Sequence, residues 1–542
     1  MVRPADISAG EAATARHGGR PLALAVLSVV LFLTFLDNTV VSVALGNIQT
    51  DLHAGVSGLQ WVVGAYALTF AGAMLGFGMV GDEFGRKRVM IIGIVIFCSG
   101  SVVCALAPNV GVLIAGRAVM GLGAAASEPG TLSMIRHIYT DERTRNRALG
   151  VWTAVSGIAL AMGPVIGGAL IGGNRDWRAI FWFNLGVGAL ALIGAAVVLP
   201  ENADPDAHRV DIPGSVFGAA ALAALAFAVI EAEGIGFAAP AVIALLCVSF
   251  LSVIAFFWWE GRAAHPLFDP RYIRVPRFLV ANVMAFSAYF ATFAVFFFTA
   301  LYLEEVVGDS GYQIALVFLP MMVLLAAAAL GTGRWSLWTG PKWPIGVGSV
   351  LFALGLVLTA LAISPDPGYL PLAAALALTG VGIGATVVPA TSSALSSVPP
   401  ERSGMAASTT NTSREVGAVT GVAVLGALVS AQLSAHIAAR LKVLGLPKSI
   451  QQIVINGVET GQVPSTSHAK GAGGAAGAGQ GKLVQEVIQA AYSAFESGLH
   501  AALYLAAGLI LVAGIFSFLW LSRRRRQASS RAPVGDASAT SA

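Results

Sequence analysis

The order of apolar and polar positions organises this chain before any single residue does. Fourteen predominantly hydrophobic runs lie near 22–47, 58–80, 89–107, 110–135, 148–171, 178–199, 212–231, 238–258, 278–303, 311–333, 344–363, 369–396, 415–438 and 498–521. A bilayer core about 30 Å thick is crossed by roughly 20 apolar residues in helical form, so each run predicts one spanning helix. Runs this long exclude a transmembrane barrel, whose strands take about 10 residues each and alternate in polarity. The first run is too long, and too polar in its second half, for a cleaved leader.

Composition removes the soluble alternatives. Charged residues make up 11% of the 542 and hydrophobic residues 56%, against about 25% charged in ordinary soluble domains. A soluble fold could not cover that much apolar surface, and disorder requires the opposite composition. The three cysteines, Cys98, Cys104 and Cys247, all sit in apolar runs and suggest neither a disulfide framework nor a metal cluster. An all-α polytopic membrane protein is expected, and not an enzyme.

Charge then sets the orientation. With the N-terminus in the cytoplasm, about 24 of the 32 Lys and Arg fall in inside segments, as the positive-inside rule requires. They include Arg86-Lys87-Arg88, the stretch from Arg136 to Arg147, and Arg523-Arg524-Arg525-Arg526. Both termini are expected in the cytoplasm of a multi-pass cell-membrane protein, which needs an even number of spans. The basic runs therefore read as topology signals and not as a nucleic-acid surface. Gly481-Lys482 superficially suggests a phosphate loop, but Ala476 stands at its first glycine and Leu483 at its Ser/Thr. No nucleotide site, and so no nucleotide-driven pump, is expected.

One connection carries a motif, Gly78-Met79-Val80-Gly81-Asp82-Glu83-Phe84-Gly85-Arg86-Lys87-Arg88. Gly78 and Gly81 let helices approach closely, and Gly85 permits a tight turn. Asp82 can accept from a neighbouring Arg or from a helix N-terminus. Spacing alone leaves two readings, a charged latch and a plain topogenic loop.

This segment resembles the G-x-x-x-D-x-x-G-R-K signature of the major facilitator superfamily. Leu36-Asp37-Asn38-Thr39 with Val40 to Leu45 resembles the first-span signature of its 14-span drug:proton antiporter branch, the QacA/EmrB type. Arg117-Ala118-Val119-Met120-Gly121 resembles the fourth-span motif. Gly157 to Gly168, ending Gly163-Pro164-Val165-Ile166-Gly167-Gly168, resembles the fifth-span antiporter motif. Trp177 to Asn184 fits the start of the sixth span. The resemblance runs from about residue 25 to 430. It departs at Gly186, where the family has Pro, at Glu128, where an apolar residue is usual, and at Leu337, where a second latch could carry an acid.

The resemblance implies a major facilitator fold of two six-helix bundles plus two inserted helices. The expected divisions are an N-terminal cytoplasmic segment 1–21, a first bundle 22–199, an inserted pair with flanking loops 200–277, a second bundle 278–521 containing a long extracytoplasmic loop 439–497, and a basic tail 522–542. It also marks the Gly157–Gly168 motif as one of antiport. Spacing alone would allow ordinary small-residue packing there, with Pro164 kinking the helix.

Three first-half charges lie inside spans, where a charge costs about 2.5–3.5 kcal/mol on insertion scales: Asp37, Arg117 and Glu128. Asp37 and Arg117 fall at similar depth, which makes an ion pair plausible. Arg117 and Glu128 are 11 residues apart, about three turns or roughly 16 Å along one helix face, so all three could line one cavity. Poorly solvated carboxylates bind protons more readily than solvated ones, and a cationic cargo would compete for the same charge. The competing reading is a static buried pair that fixes packing. Arg414 and Glu415 read first as boundary charges at the start of the thirteenth span, with a gating role second. Trp61, Tyr66, Phe286, Tyr289, Phe290 and Phe293 fall at helical spacing and could stack on flat or cationic cargo, although lipid-facing or core roles are the ordinary ones.

The function that follows is proton-coupled export of hydrophobic or cationic small molecules by alternating access, driven by the proton gradient without a cofactor. Its partners are those small molecules, protons and membrane lipids. A dedicated exporter of one endogenous metabolite or lipid stands second, and a transport-dead sensor or scaffold third.

Overall fold

The computed structural model describes residues 20–54, 56–172, 176–201, 211–236, 238–263, 266, 268–309, 311–364, 368–399, 402–443 and 478–529. The expected N-terminal segment before 20, the centre of the long loop at 444–477 and the tail beyond 529 lie outside the described residues.

Among those described, there is no strand and there are fourteen long helices: α1 (Arg20–Val40), α2 (Val56–Phe84), α3 (Arg86–Ala105), α4 (Val110–Ile138), α5 (Glu142–Gly172), α6 (Ala179–Val198), α7 (Ile212–Ile235), α8 (Pro240–Glu260), α9 (Pro276–Tyr302), α10 (Gly311–Thr339), α11 (Lys342–Ala362), α12 (Tyr369–Ser396), α13 (Ser403–Val443) and α14 (Ala478–Ser529). Each apolar run after the first has become one helix, and the first is divided into Arg20–Val40, a 3-10 turn at Val41–Ala44 and a short helix at Leu45–Leu52. Ten are long and apolar enough to cross a membrane, or twelve if the bent α2 and α5 each count as one span. That set leaves out α7, whose apolar stretch is Pro213–Val229, and α13, so the structure supports ten to twelve crossings by length and composition where the sequence led us to expect fourteen.

Helix ends follow local chemistry. Asn109 accepts from the Val112 amide at 3.0 Å to cap α4, and Asp211 accepts from Gly214 at 3.0 Å to cap α7. Between α2 and α3 the break is Gly85 alone, at φ +102°, a backbone conformation that suits glycine. The expected short loop after the second span is thus mostly helix, and Gly78 and Asp82 belong to the last two turns of α2. The expected loop 439–497 is also narrower, because α13 runs on to Val443 and α14 begins at Ala478.

Helices α1–α6 pack among themselves, as do α9–α14; the seams between the halves are α5 on α10 and α2 on α13. Small residues make the closest crossings. A Cβ on Gly100 of α3 would sit 2.7 Å from the Met120 amide of α4, and one on Gly355 of α11 would sit 2.6 Å from the Thr379 amide of α12. Helices α7 and α8 pack on each other, with the Ser249 hydroxyl donating to the Ala221 carbonyl at 2.8 Å. α7 lies along α2, where Gly72 meets Ala219 and Ala223. The outer face is apolar, with Val197, Leu370 and Phe250 at least 66% exposed, as expected of a surface solvated by lipid.

Candidate functional site

The first charged group is a knot inside the first half. Arg117 of α4 forms an ion pair with Asp37 of α1 through Nη1 and Oδ2, and its Nε donates to the Val62 carbonyl of α2 at 3.0 Å. The other oxygen of Asp37 accepts from Asn184 Nδ2 of α6 at 2.7 Å. The guanidinium lies 4.5 Å over the Tyr66 ring, and the Tyr66 hydroxyl donates to the Thr34 carbonyl at 3.1 Å. Asp37 and Asn184 are 0% exposed and Arg117 is 1%. A buried charge is tolerable only when paired and hydrogen-bonded, and both carboxylate oxygens here are engaged. Sequence had suggested the pair, but Asn184 entered only as part of a motif. Its signal was an amide alone in an apolar run.

The antiporter-motif glycines press α5 onto α1 beside this knot. A Cβ on Gly163 would meet the Thr39 side chain and, at 2.9 Å, the Val40 amide; one on Gly167 would meet the Val40 carbonyl at 3.1 Å. Thr39 donates its hydroxyl to the Leu160 carbonyl of α5 at 3.0 Å. Gly157 instead faces Leu325 of α10 across the seam at 3.0 Å, and Gly168 has open space around it. The axis of α5 turns by 43° between Glu142–Leu160 and Val165–Ile171. Pro164 falls in that break, and its side chain lies outside the described residues.

The second group joins the two halves. Glu128 of α4, directly before Pro129, is 1% exposed, and its Oε2 has no hydrogen-bond partner. The charges that bear on it come from α13, Glu415 and Arg414. Arg414 is 2% exposed. Its Nη1 donates to Asn411 Oδ1 at 2.9 Å and its Nη2 to Thr391 Oγ1 of α12 at 2.5 Å. Its guanidinium lies 4.8 Å from the Trp152 ring of α5 and 5.3 Å from the Tyr289 ring of α9. The boundary reading of Arg414 fails, because α13 begins at Ser403 and Arg414 is deep inside it. Three expected site residues therefore separate into two neighbourhoods: Asp37 with Arg117, and Glu128 with Arg414 and Glu415. Tyr66 feels the charges of both.

The aromatic candidates scatter. Trp61 packs on Phe227 of α7 at 4.9 Å, away from both charged groups. Tyr66 lies under Arg117, while Tyr289 lies near Arg414 and stacks on Phe293 at 6.2 Å. Phe286 and Phe290 of α9 pack on each other at 6.1 Å. Trp152, not foreseen, holds Arg414 from the first half, and its indole donates to Thr131 at 3.0 Å.

At the end of the bundle carrying the short basic loops, the seams are shut. Arg86 donates to Asp82 Oδ1 through Nε and Nη2 at 2.8 and 2.7 Å. The Asp82 carboxylate abuts Gly404 in the first turn of α13, and Gly78 faces Ser408 with no room for a side chain. A carboxylate beside a helix N-terminus is favoured by the helix dipole. On the other seam, Ser392 donates to Asn146 Oδ1 at 2.6 Å, and Arg136 Nη2 donates to the Val398 carbonyl at 2.5 Å.

Two helical bundles closed on each other at one end, with buried charges between them, define a membrane transporter. A sequence model of the Major Facilitator Superfamily matches residues 27–422, and the chain belongs to that family. It is 32% identical over 434 residues to the multidrug resistance protein Stp of Mycobacterium tuberculosis (strain CDC 1551 / Oshkosh), covering 80% of each chain. It is 31% identical over 509 residues to the drug efflux pump JefA of the same strain, covering 92% of this chain and 97% of that one. Among solved structures, the human organic anion transporter MFSD10 shares the fold at a TM-score of 0.59 and 14% identity, covering 92% of this chain and 99% of that one.

Proposed function

We propose that this protein exports hydrophobic or cationic small molecules in exchange for protons, by rocking its two halves about a central site, with both termini in the cytoplasm. The observation that carries the reading is Glu128. A carboxyl group sealed at the seam, with one oxygen unpartnered and the charges of Glu415 and Arg414 of the opposite half bearing on it, is poised to take a partner. A cationic cargo competes with a proton for that oxygen. Asp37 takes a different part. Protonating it means releasing Arg117 and loosening α1 from α4 beside the Gly163 contact, so proton uptake there would be converted into helix movement. The named functions of Stp and JefA support export of drugs. No cofactor is needed, since the proton gradient supplies the free energy.

The test uses proteoliposomes with an acidic lumen, the basic end facing outward, and a luminal pH dye. Tetraphenylphosphonium, ethidium and neutral amphiphiles are added in turn. Wild type should release protons on addition of many of them. Glu128→Gln should lose the response to cations and keep that to neutral compounds, and Asp37→Asn should lose both. Proton release by Glu128→Gln equal to wild type with every cation would refute the assignment of Glu128. Silence of wild type with every compound would sink multidrug antiport.

A further inference from the structure

A cavity of about 410 Å³ lies outside both charged groups, between the inserted pair α7–α8, the segment 268–275, and helices α9 and α13. Its size is within the roughly 300–1,000 Å³ of small-molecule sites. Five phenylalanines line it: Phe256, Phe257, Phe268, Phe278 and Phe286. No charged side chain does. Val253 and Phe257, both lining residues, are also 39% and 44% exposed on the outer face, so the cavity meets the membrane. The lining polar groups are nearly all spent on each other. Asn282 donates to the Phe278 carbonyl at 2.8 Å and accepts from Ser413 at 3.2 Å. Ser249 is bonded to Ala221. The exception is Thr412, whose buried Oγ1 has no partner.

The walls are held in place. Trp259 at the end of α8 donates to Asp211 at the start of α7 at 2.8 Å, and Asp269 pairs with Arg402, just before α13, at 3.0 Å. Ser413 and Val416 line the cavity on either side of Arg414 and Glu415 in sequence, and Phe286 is one turn of α9 from Tyr289. A molecule here is therefore one helix away from the charged site between the halves.

We infer that this lateral cavity is a second ligand site, for neutral, flat aromatic molecules entering from the membrane. Ring faces and edges recognise a planar aromatic better than a flexible chain. The absent charge excludes the cations that Glu128 would take. Its role as a cargo site rests on the export function proposed above; its binding chemistry does not.

The probe is Nile red, a neutral planar dye, titrated into the full chain in nanodiscs with empty nanodiscs as background. Tetraphenylphosphonium binding is measured in parallel. Wild type should show one saturable dye site. Val253→Trp, which fills the cavity from its lipid edge, should weaken the dye about tenfold or more, in keeping with the loss of a buried aromatic contact surface. Val253→Trp should leave tetraphenylphosphonium binding unchanged. Unchanged dye affinity in a monodisperse Val253→Trp would overturn the proposal. So would a phospholipid, seen by native mass spectrometry, that the dye fails to displace and Val253→Trp releases. Failure of tetraphenylphosphonium to bind wild type would count against the Glu128 site and leave the cavity result standing.

Discussion

The sealed knot of Asp37 and Arg117 makes the sharpest energetic prediction. Asp37→Asn keeps the shape and can still accept from Asn184. What it leaves behind is a guanidinium 1% exposed, holding only the Val62 carbonyl and the Tyr66 ring. Removing one partner of a buried pair costs about 3–5 kcal/mol, chiefly because the survivor stays charged. The retained contacts of Arg117 put Asp37→Asn near the lower end. At 1.4 kcal/mol per decade, that is roughly a hundredfold or more in the unfolding equilibrium. Arg117→Leu should cost more, near 5 kcal/mol, since the Asp37 carboxylate would keep only Asn184 as donor. The double variant Asp37→Asn/Arg117→Leu should recover about 2 kcal/mol or more relative to Arg117→Leu, because no unpaired charge remains. The assay is unfolding of the purified protein in mixed micelles with increasing dodecyl sulfate, run as a double-mutant cycle. If Asp37→Asn unfolds with wild type and the cycle closes without coupling, the pair is solvated and the knot described above is wrong.

The remaining predictions concern packing and pH. Gly163→Ala should impair proton-coupled export by roughly tenfold, because overpacking against Thr39 and Val40 costs about 1–3 kcal/mol; Gly168→Ala, with open space at that position, should match wild type, and equal effects of the two would refute the steric account. Gly78→Ala drives a methyl into Ser408 and should hold the basic end open, exposing seam cysteines introduced there to labelling; Ser408→Gly on the same chain should restore closure, and failure to do so would count against direct contact. Asp51, after α1, accepts from Arg178 at 2.7 Å and Trp177 at 3.0 Å, which hold its carboxyl below the usual carboxylate range. A depressed folded value means that the tie is fully present above an unfolded value of about 3.9 and is lost as pH falls through the folded one. Hydrogen exchange over Leu45–Leu52, corrected for intrinsic rate, should therefore stay level from neutral to about pH 5. Protection that fades within that window would overturn the assignment, and Asp51→Asn should lack it at every pH.

What the sequence could and could not reveal is clearest in α13. The apolar run was read from residue 415, yet the helix begins at Ser403. The stretch Ser408-Thr409-Thr410-Asn411-Thr412-Ser413 looks polar to any count of hydrophobicity. In the fold, most of those hydroxyls turn back onto their own helix: Thr409 donates to Met405 at 2.7 Å, Thr410 to Ala406 at 2.7 Å and Ser413 to Thr409 at 2.9 Å. A hydroxyl satisfied one turn back loses most of the cost that made it look like a boundary. A run that starts at residue 415 sets Arg414 and Glu415 at its edge and gives no sign that their charges bear on Glu128, since nothing local links residues so far apart in the chain. By contrast, the Asp37–Arg117 pair was legible because two opposite charges at matched depth in neighbouring apolar runs have few alternatives to each other. The rule that separates the two cases is physical. An intramembrane charge announces itself, because its burial is costly, but its partner is readable only when that partner also stands alone in an apolar run. The cation whose charge bears on Glu128, Arg414, lies inside a hydroxyl-rich helix. The cation whose charge bears on Glu128 thus sits in the segment whose polarity is masked by its own backbone, and such segments are where second-half charges near first-half acids should be sought in chains of this kind.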